Sequence, residues 1–118
     1  MGDLRDRWNS AKKELERAHV DTGVFKLDLG SKLGSVDKAW SKFEAARGEH
    51  RRSDPIMVGL AADLHAACRP ATLAAVEYER TVRHLADHAT DGRQAAACTA
   101  AAAKLLTVIA ELGRAQQL

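Results

Sequence analysis

DPIMVGLAADLHAACRPATLAAVEYERTVRHLADHA, residues 54–89, decides how this chain folds. Its apolar and small residues, Met57, Leu60, Leu64, Ala67, Ala71, Ala74 or Ala75, Tyr78, Val82 and Leu85, recur at steps of three and four. Such steps place them along one stripe of an α-helix, which turns once every ~3.6 residues. Ser53 or Asp54 can cap its start, and Pro55 falls in the first turn, where a missing N–H costs nothing. Pro70 interrupts the stripe, because it removes a backbone donor and crowds the carbonyl of Ala66. A kink or a short break is expected there, with the helix, bent or split, ending around Ala89.

Upstream, RGEHRRSDP (residues 47–55) is the sharpest boundary in the chain. Arg47, Arg51 and Arg52 stand near a helix C-terminus, where positive charge opposes the macrodipole. The helix they close is read from Phe25, Leu29, Leu33, Val36, Trp40 and Phe43, again at helical spacing. Gly23, Gly30 and Gly34 oppose it, each costing a helix interior about 1 kcal/mol relative to alanine. A turn near Asp21 to Gly23 and a helix to about residue 50, irregular in its first turns, reconcile the two signals. One continuous helix over 3–50 is the rival reading. Before the turn, Leu4, Trp8, Ala11, Leu15 and Ala18 mark a first helix from about 3 to about 20, with Asp3 as its cap. Downstream, Asp91 is placed to cap a last helix, with Gln94 three residues on as a variant capping box. The stripe of that helix is Ala95, Cys98, Ala102, Leu105, Ile109 and Leu112.

With 118 residues, 46% of them hydrophobic and 29% charged, the chain fits a single domain spanning 1–118. Aromatics are few and alanines many, which favours helix over strand. The expected class is all-α: an antiparallel four-helix bundle, or five helices if Pro70 breaks the third. An unbroken third helix would run about 54 Å against about 26 Å for the first, so that it would fold back or reach beyond the bundle. Cys68 and Cys98 are too few and too far apart for a disulfide framework or a zinc knuckle, and both are read as reduced and buried.

The N-terminus lacks the apolar run of a secretory signal. The longest apolar tract, from Ala95 to Ala110, is broken by Lys104, followed by Glu111, and reads as short of a bilayer span. The expected location is therefore cytoplasmic, with no membrane partner. Residues 1–52 hold 12 Lys and Arg against 9 Asp and Glu, and the remainder hold 6 against 7, an asymmetry too small to argue for nucleic acid.

His84 and His88 lie one turn apart and leave one helix face together, which is a geometry zinc accepts from paired histidines. The run HLADH is similar to the inverted zinc-protease motif HxxEH, with Asp87 in place of glutamate. No third ligand follows it, and the Glu–His spacing of a di-iron bundle is absent as well. Histidines near a helix C-terminus are favoured there without a metal. His65 and Cys68 could share a face and hold a metal or small ligand with His84 and His88, provided Pro70 folded the turns together. Arg47, Arg51 and Arg52 could meet a polyanion, but Glu44, Glu49 and Asp54 lie among them and no aromatic is interleaved to stack on bases. No phosphate-binding glycine loop is present. A Trp-x-Gly turn, as in small helical proteins exported by the type VII pathway, is also missing, because Ser41 and Lys42 follow Trp40.

No convergent catalytic set emerges and no cofactor is expected. The function expected from the sequence is a non-enzymatic interaction or assembly module whose partner is another protein or a second copy of itself. Trp8 and Trp40 are core anchors, or hot spots if exposed. Ala95 and Ala102 would let a partner's backbone approach closely, and Arg47, Arg51 and Arg52 offer a charged edge. The alternatives are a ligand- or metal-binding bundle using His65, Cys68, His84 and His88, and a polyanion binder through residues 47–52.

Overall fold

The computed structural model describes the backbone of residues 2–17 and 24–118, with side chains from Leu4 to Arg17 and from Asp28 onward. Four helices make up the described chain: α1 (Gly2–Glu16), α2 (Val24–Arg47), α3 (Pro55–His88) and α4 (Gly92–Ala115). The chain is an all-α helical bundle, as its periodicity implies. The turn expected near Asp21 to Gly23, and the place of Ala18 in the first stripe, lie outside the described residues. Asp3 falls within α1 rather than before it.

α3 is continuous through Pro70, so the four-helix form is the one observed and the five-helix alternative is not. Both Pro70 and Ala66, the residue whose carbonyl loses its donor, are exposed, and water can take the place of the missing N–H. On the opposite side, Leu64, Cys68, Ala71 and Ala75 are fully enclosed and hold the two halves of the helix in line. The cap reads as expected at Asp54, whose Oδ1 accepts from the Ile56 N–H at 2.9 Å. Asp91 likewise caps α4, although its carboxylate accepts from Arg93 N–H at 2.9 Å, one residue short of the Gln94 position that a capping box uses. α2 is regular from Val24 and spans Gly30 and Gly34. Burial of Leu29, Leu33, Val36, Trp40 and Phe43 outweighs the cost of the two glycines.

Adjacent helices run antiparallel. Glu14 meets Lys104 while Arg7 meets Glu111, so α1 and α4 run in opposite senses. Trp8 meets Asp37 and Arg5 meets Ser41, which fixes the same relation between α1 and α2. The connections 48–54 and 89–91 turn the chain back between α2, α3 and α4. α3 spans about 51 Å at 1.5 Å per residue, close to the 55 Å long axis of the molecule, and forms its spine.

Two kinds of packing close the bundle. α3 meets α4 through small side chains, with Cys68, Ala71 and Ala75 on one helix and Cys98, Ala101 and Ala102 on the other all buried in one core. α1 and α2 are held apart instead: among the described residues no Cα of one lies within 8 Å of the other. The gap is bridged by Trp8 and Trp40, whose ring centroids are 5.8 Å apart and which are 0% and 1% exposed.

Candidate functional site

The tryptophans that could have served a partner are therefore interior, and the polar network around them faces inward too. Asp37 on α2 accepts a hydrogen bond from Trp8 Nε1 at 2.7 Å through Oδ1, and its Oδ2 pairs with the Lys12 ammonium. Arg5 lies with one guanidinium nitrogen 3.4 Å from Asp37 and its guanidinium carbon 5.1 Å from the centroid of the Trp40 ring. One carboxylate thus takes two hydrogen bonds and one ion pair from α1 and ties that helix to α2. Nothing in the periodicity of the sequence points to Asp37, because it flanks the stripe instead of lying on it.

The paired histidines are exposed, with ring centroids 4.2 Å apart, and His88 Nδ1 lies 3.0 Å from the His84 carbonyl oxygen. Among the described residues no group of three or more His, Cys, Asp or Glu is placed to hold a metal ion. His65 lies 19 positions before His84 on an unbroken helix, which separates them by about 28 Å along the axis. The four-residue site that depended on a fold at Pro70 does not assemble. The His65 Nε2 atom is buried without a hydrogen-bond partner. Burial pushes the Cys68 thiol up to about 11, so it stays protonated and unreactive at neutral pH.

Arg47 and Arg52 come together at one end of the bundle, where they and His50 line a cavity of about 340 Å³ with Phe43, Met57 and Leu118. Arg47 lies over the Phe43 ring with its guanidinium carbon 6.0 Å from the centroid, and Arg52 donates to the Leu118 backbone oxygen at 3.3 Å. Arg51 is exposed and outside that lining. A second cavity of about 440 Å³ lies between α1 and α4 over the Glu14–Lys104 pair, which is 2.8 Å long. The Lys104 ammonium, by hydrogen bond and by charge, holds the Glu14 carboxyl below its usual range. Glu111 borders the same cavity, 3% exposed, with its Oε1 paired to Arg114 and to Arg7. Its other oxygen is buried without a partner.

Of the two alanines read as an approach surface, Ala102 is 8% exposed and packs inside the bundle, and Ala95 is half-buried. The exposed side of α4 lies elsewhere on the helix, at Ala96, Ala100, Ala103, Leu106, Thr107 and Ala110. Lys104 and Glu111 are turned toward α1, so this outer strip carries no charge from Ala95 to Gly113. Thr99 and Thr107 add little polarity, since each hydroxyl donates to the carbonyl four residues back, at 2.9 and 3.2 Å. The apolar tract also reaches further than its sequence reading allowed: by length and composition α4 could cross a membrane, since its most apolar 18 residues have mean hydropathy 1.6 and 39% of that stretch is buried in the bundle.

No protein-family model matches the chain, and neither a curated protein nor a solved structure matches it.

Proposed function

We propose that this chain is a non-enzymatic assembly module that associates with a second copy of itself through the outer strip of α4. The observation that carries this reading is a solvent-facing helix surface without charge, where an amphipathic helix in a finished bundle would be polar. Ala96, Ala100, Ala103, Thr107 and Ala110 follow one another at steps of four, three, four and three. That is the spacing of a helix–helix seam, and the small side chains let two backbones come close. Leu106, 55% exposed, flanks the seam and supplies the larger apolar contact.

Arg93 and Arg114 are exposed at the two ends of the strip, so like charges meet in either orientation and limit the affinity. Ala103, midway along α4, falls at the centre of the pair. One helix seam is small among specific interfaces, so the expected dissociation constant is about micromolar or weaker.

Sedimentation velocity across a concentration series tests the reading. The chain should shift toward dimer as concentration rises, and Ala103→Arg should remain monomeric with unchanged helicity. A chain that stays monomeric at about millimolar concentration, or an Ala103→Arg variant that dimerises as well as the parent, overturns it. Flotation with phosphatidylcholine vesicles distinguishes a bilayer as the true partner of the same strip.

A further inference from the structure

The gap between α1 and α2 forms a slot, partly open to solvent, on one side of the Trp8–Trp40 pair. There Leu15 of α1 faces Leu29 and Leu33 of α2 across a cavity of about 210 Å³ whose floor is Tyr78 of α3. Gly30 and Gly34, one helical turn apart, and Glu16 of α1 also line it. Neither glycine has a positive φ, and a Cβ added at either would meet nothing within 4 Å. Helix geometry and packing would therefore both accept alanine or a larger side chain, which would also favour the helix. What the missing side chains do is leave the slot open. Lys12 and Asp37 stand paired at its rim.

We infer that this slot binds a small apolar molecule, such as a monocyclic aromatic compound of about ten non-hydrogen atoms, with its polar end at the Lys12 ammonium. The volume supports the size: an apolar cavity of about 150 Å³ already accommodates benzene. The lining supports the chemistry, since three leucines and an aromatic ring flank the body of the ligand, the Lys12 ammonium orients a neutral acceptor on it, and the carboxylates of Glu16 and Asp37 disfavour an anion. Lys12 gives Asp37 one of its three donors and keeps others for an acceptor on the ligand. The inference is independent of self-association, which uses the outer face of α4, a helix that does not line the slot.

Toluene and phenol, titrated into ¹⁵N-labelled full-length chain, are the probes. Saturable shifts should be confined to amides around Leu15 and from Leu29 to Gly34, with phenol binding more tightly than toluene. Filling the slot with Gly30→Leu and Gly34→Leu together should weaken phenol at least tenfold. If that pair does not fold, Gly30→Ala with Gly34→Ala is read instead, with a loss of about threefold. Gly59→Leu, on an exposed turn of α3 outside the slot, should leave affinity unchanged. The inference fails if the parent chain shows no saturable shifts, if the shifts spread along α4 instead, or if the filled variant binds phenol as the parent does.

Discussion

Asp37 is the residue on which the seating of α1 turns. Trp8 is enclosed, so its indole N–H needs an acceptor, and Asp37 supplies one at 2.7 Å. The same carboxylate faces Arg5 and Lys12, which would otherwise bring unbalanced positive charge to the α1–α2 seam. Replacing Asp37 by alanine removes the partner of a buried donor and leaves the cations facing one another. The expected loss is about 2–3 kcal/mol in urea unfolding, since a buried donor left unmade costs its full desolvation. Asp37→Asn keeps an acceptor for the indole and should lose about half as much. An Asp37→Ala variant within about 0.5 kcal/mol of the parent would show that the indole is satisfied by water and that the cluster is ornamental.

At the scale of the helix, Pro70 poses the sharper question, because sequence rules give it a kink or a break and the helix runs through it. The penalty is still there, absorbed by the packing of Leu64, Cys68, Ala71 and Ala75 on the opposite face. Pro70→Ala restores the donor to the Ala66 carbonyl and removes the ring clash, so it should raise stability by about 1–3 kcal/mol. If stability is unchanged or falls, Pro70 is being tolerated by a different route from the one described. The contrast marks what the sequence could reveal. Both helix starts after a loop were legible, because Asp54 and Asp91 cap through local chemistry that depends on nearby backbone alone. So were the stripes of α2 and α3 in the main, since large apolar residues that point inward recur at helical spacing, whereas buried Glu79 lies off the stripe read for α3. Continuity through Pro70 was not legible, because it depends on which side of the helix the proline faces once the neighbours are in place. The same is true of the α4 surface. Periodicity picks out Ala102 and Leu105 as a stripe, yet it cannot tell that the alanines outside the stripe form an uncharged strip until the partners of Lys104 and Glu111 are known.

Across the whole molecule, the four helices are not equally held. α3 and α4 share a continuous core of small buried side chains, and α2 adds a row of five large apolar residues to α3. Among the described residues α1 buries only Trp8 and Ala11 fully, and it reaches α2 through side chains alone. Its tie to α4 is a close approach of the two helices together with the Glu14–Lys104 and Arg7–Glu111 pairs, of which the first is half-exposed and worth little in water. Free energy of opening follows buried apolar contact, so α1 should undock while the α2–α3–α4 core stays folded. Native-state hydrogen exchange would resolve this as amides of residues 5–16 opening at a free energy about 1–3 kcal/mol below that of the α3 and α4 cores. Their dependence on denaturant should be shallow, because little surface is exposed when one short helix leaves. If the α1 amides instead merge with the global unfolding isotherm, the indole pair and Asp37 couple α1 to the bundle as tightly as α3 couples to α4, and the molecule is one cooperative unit.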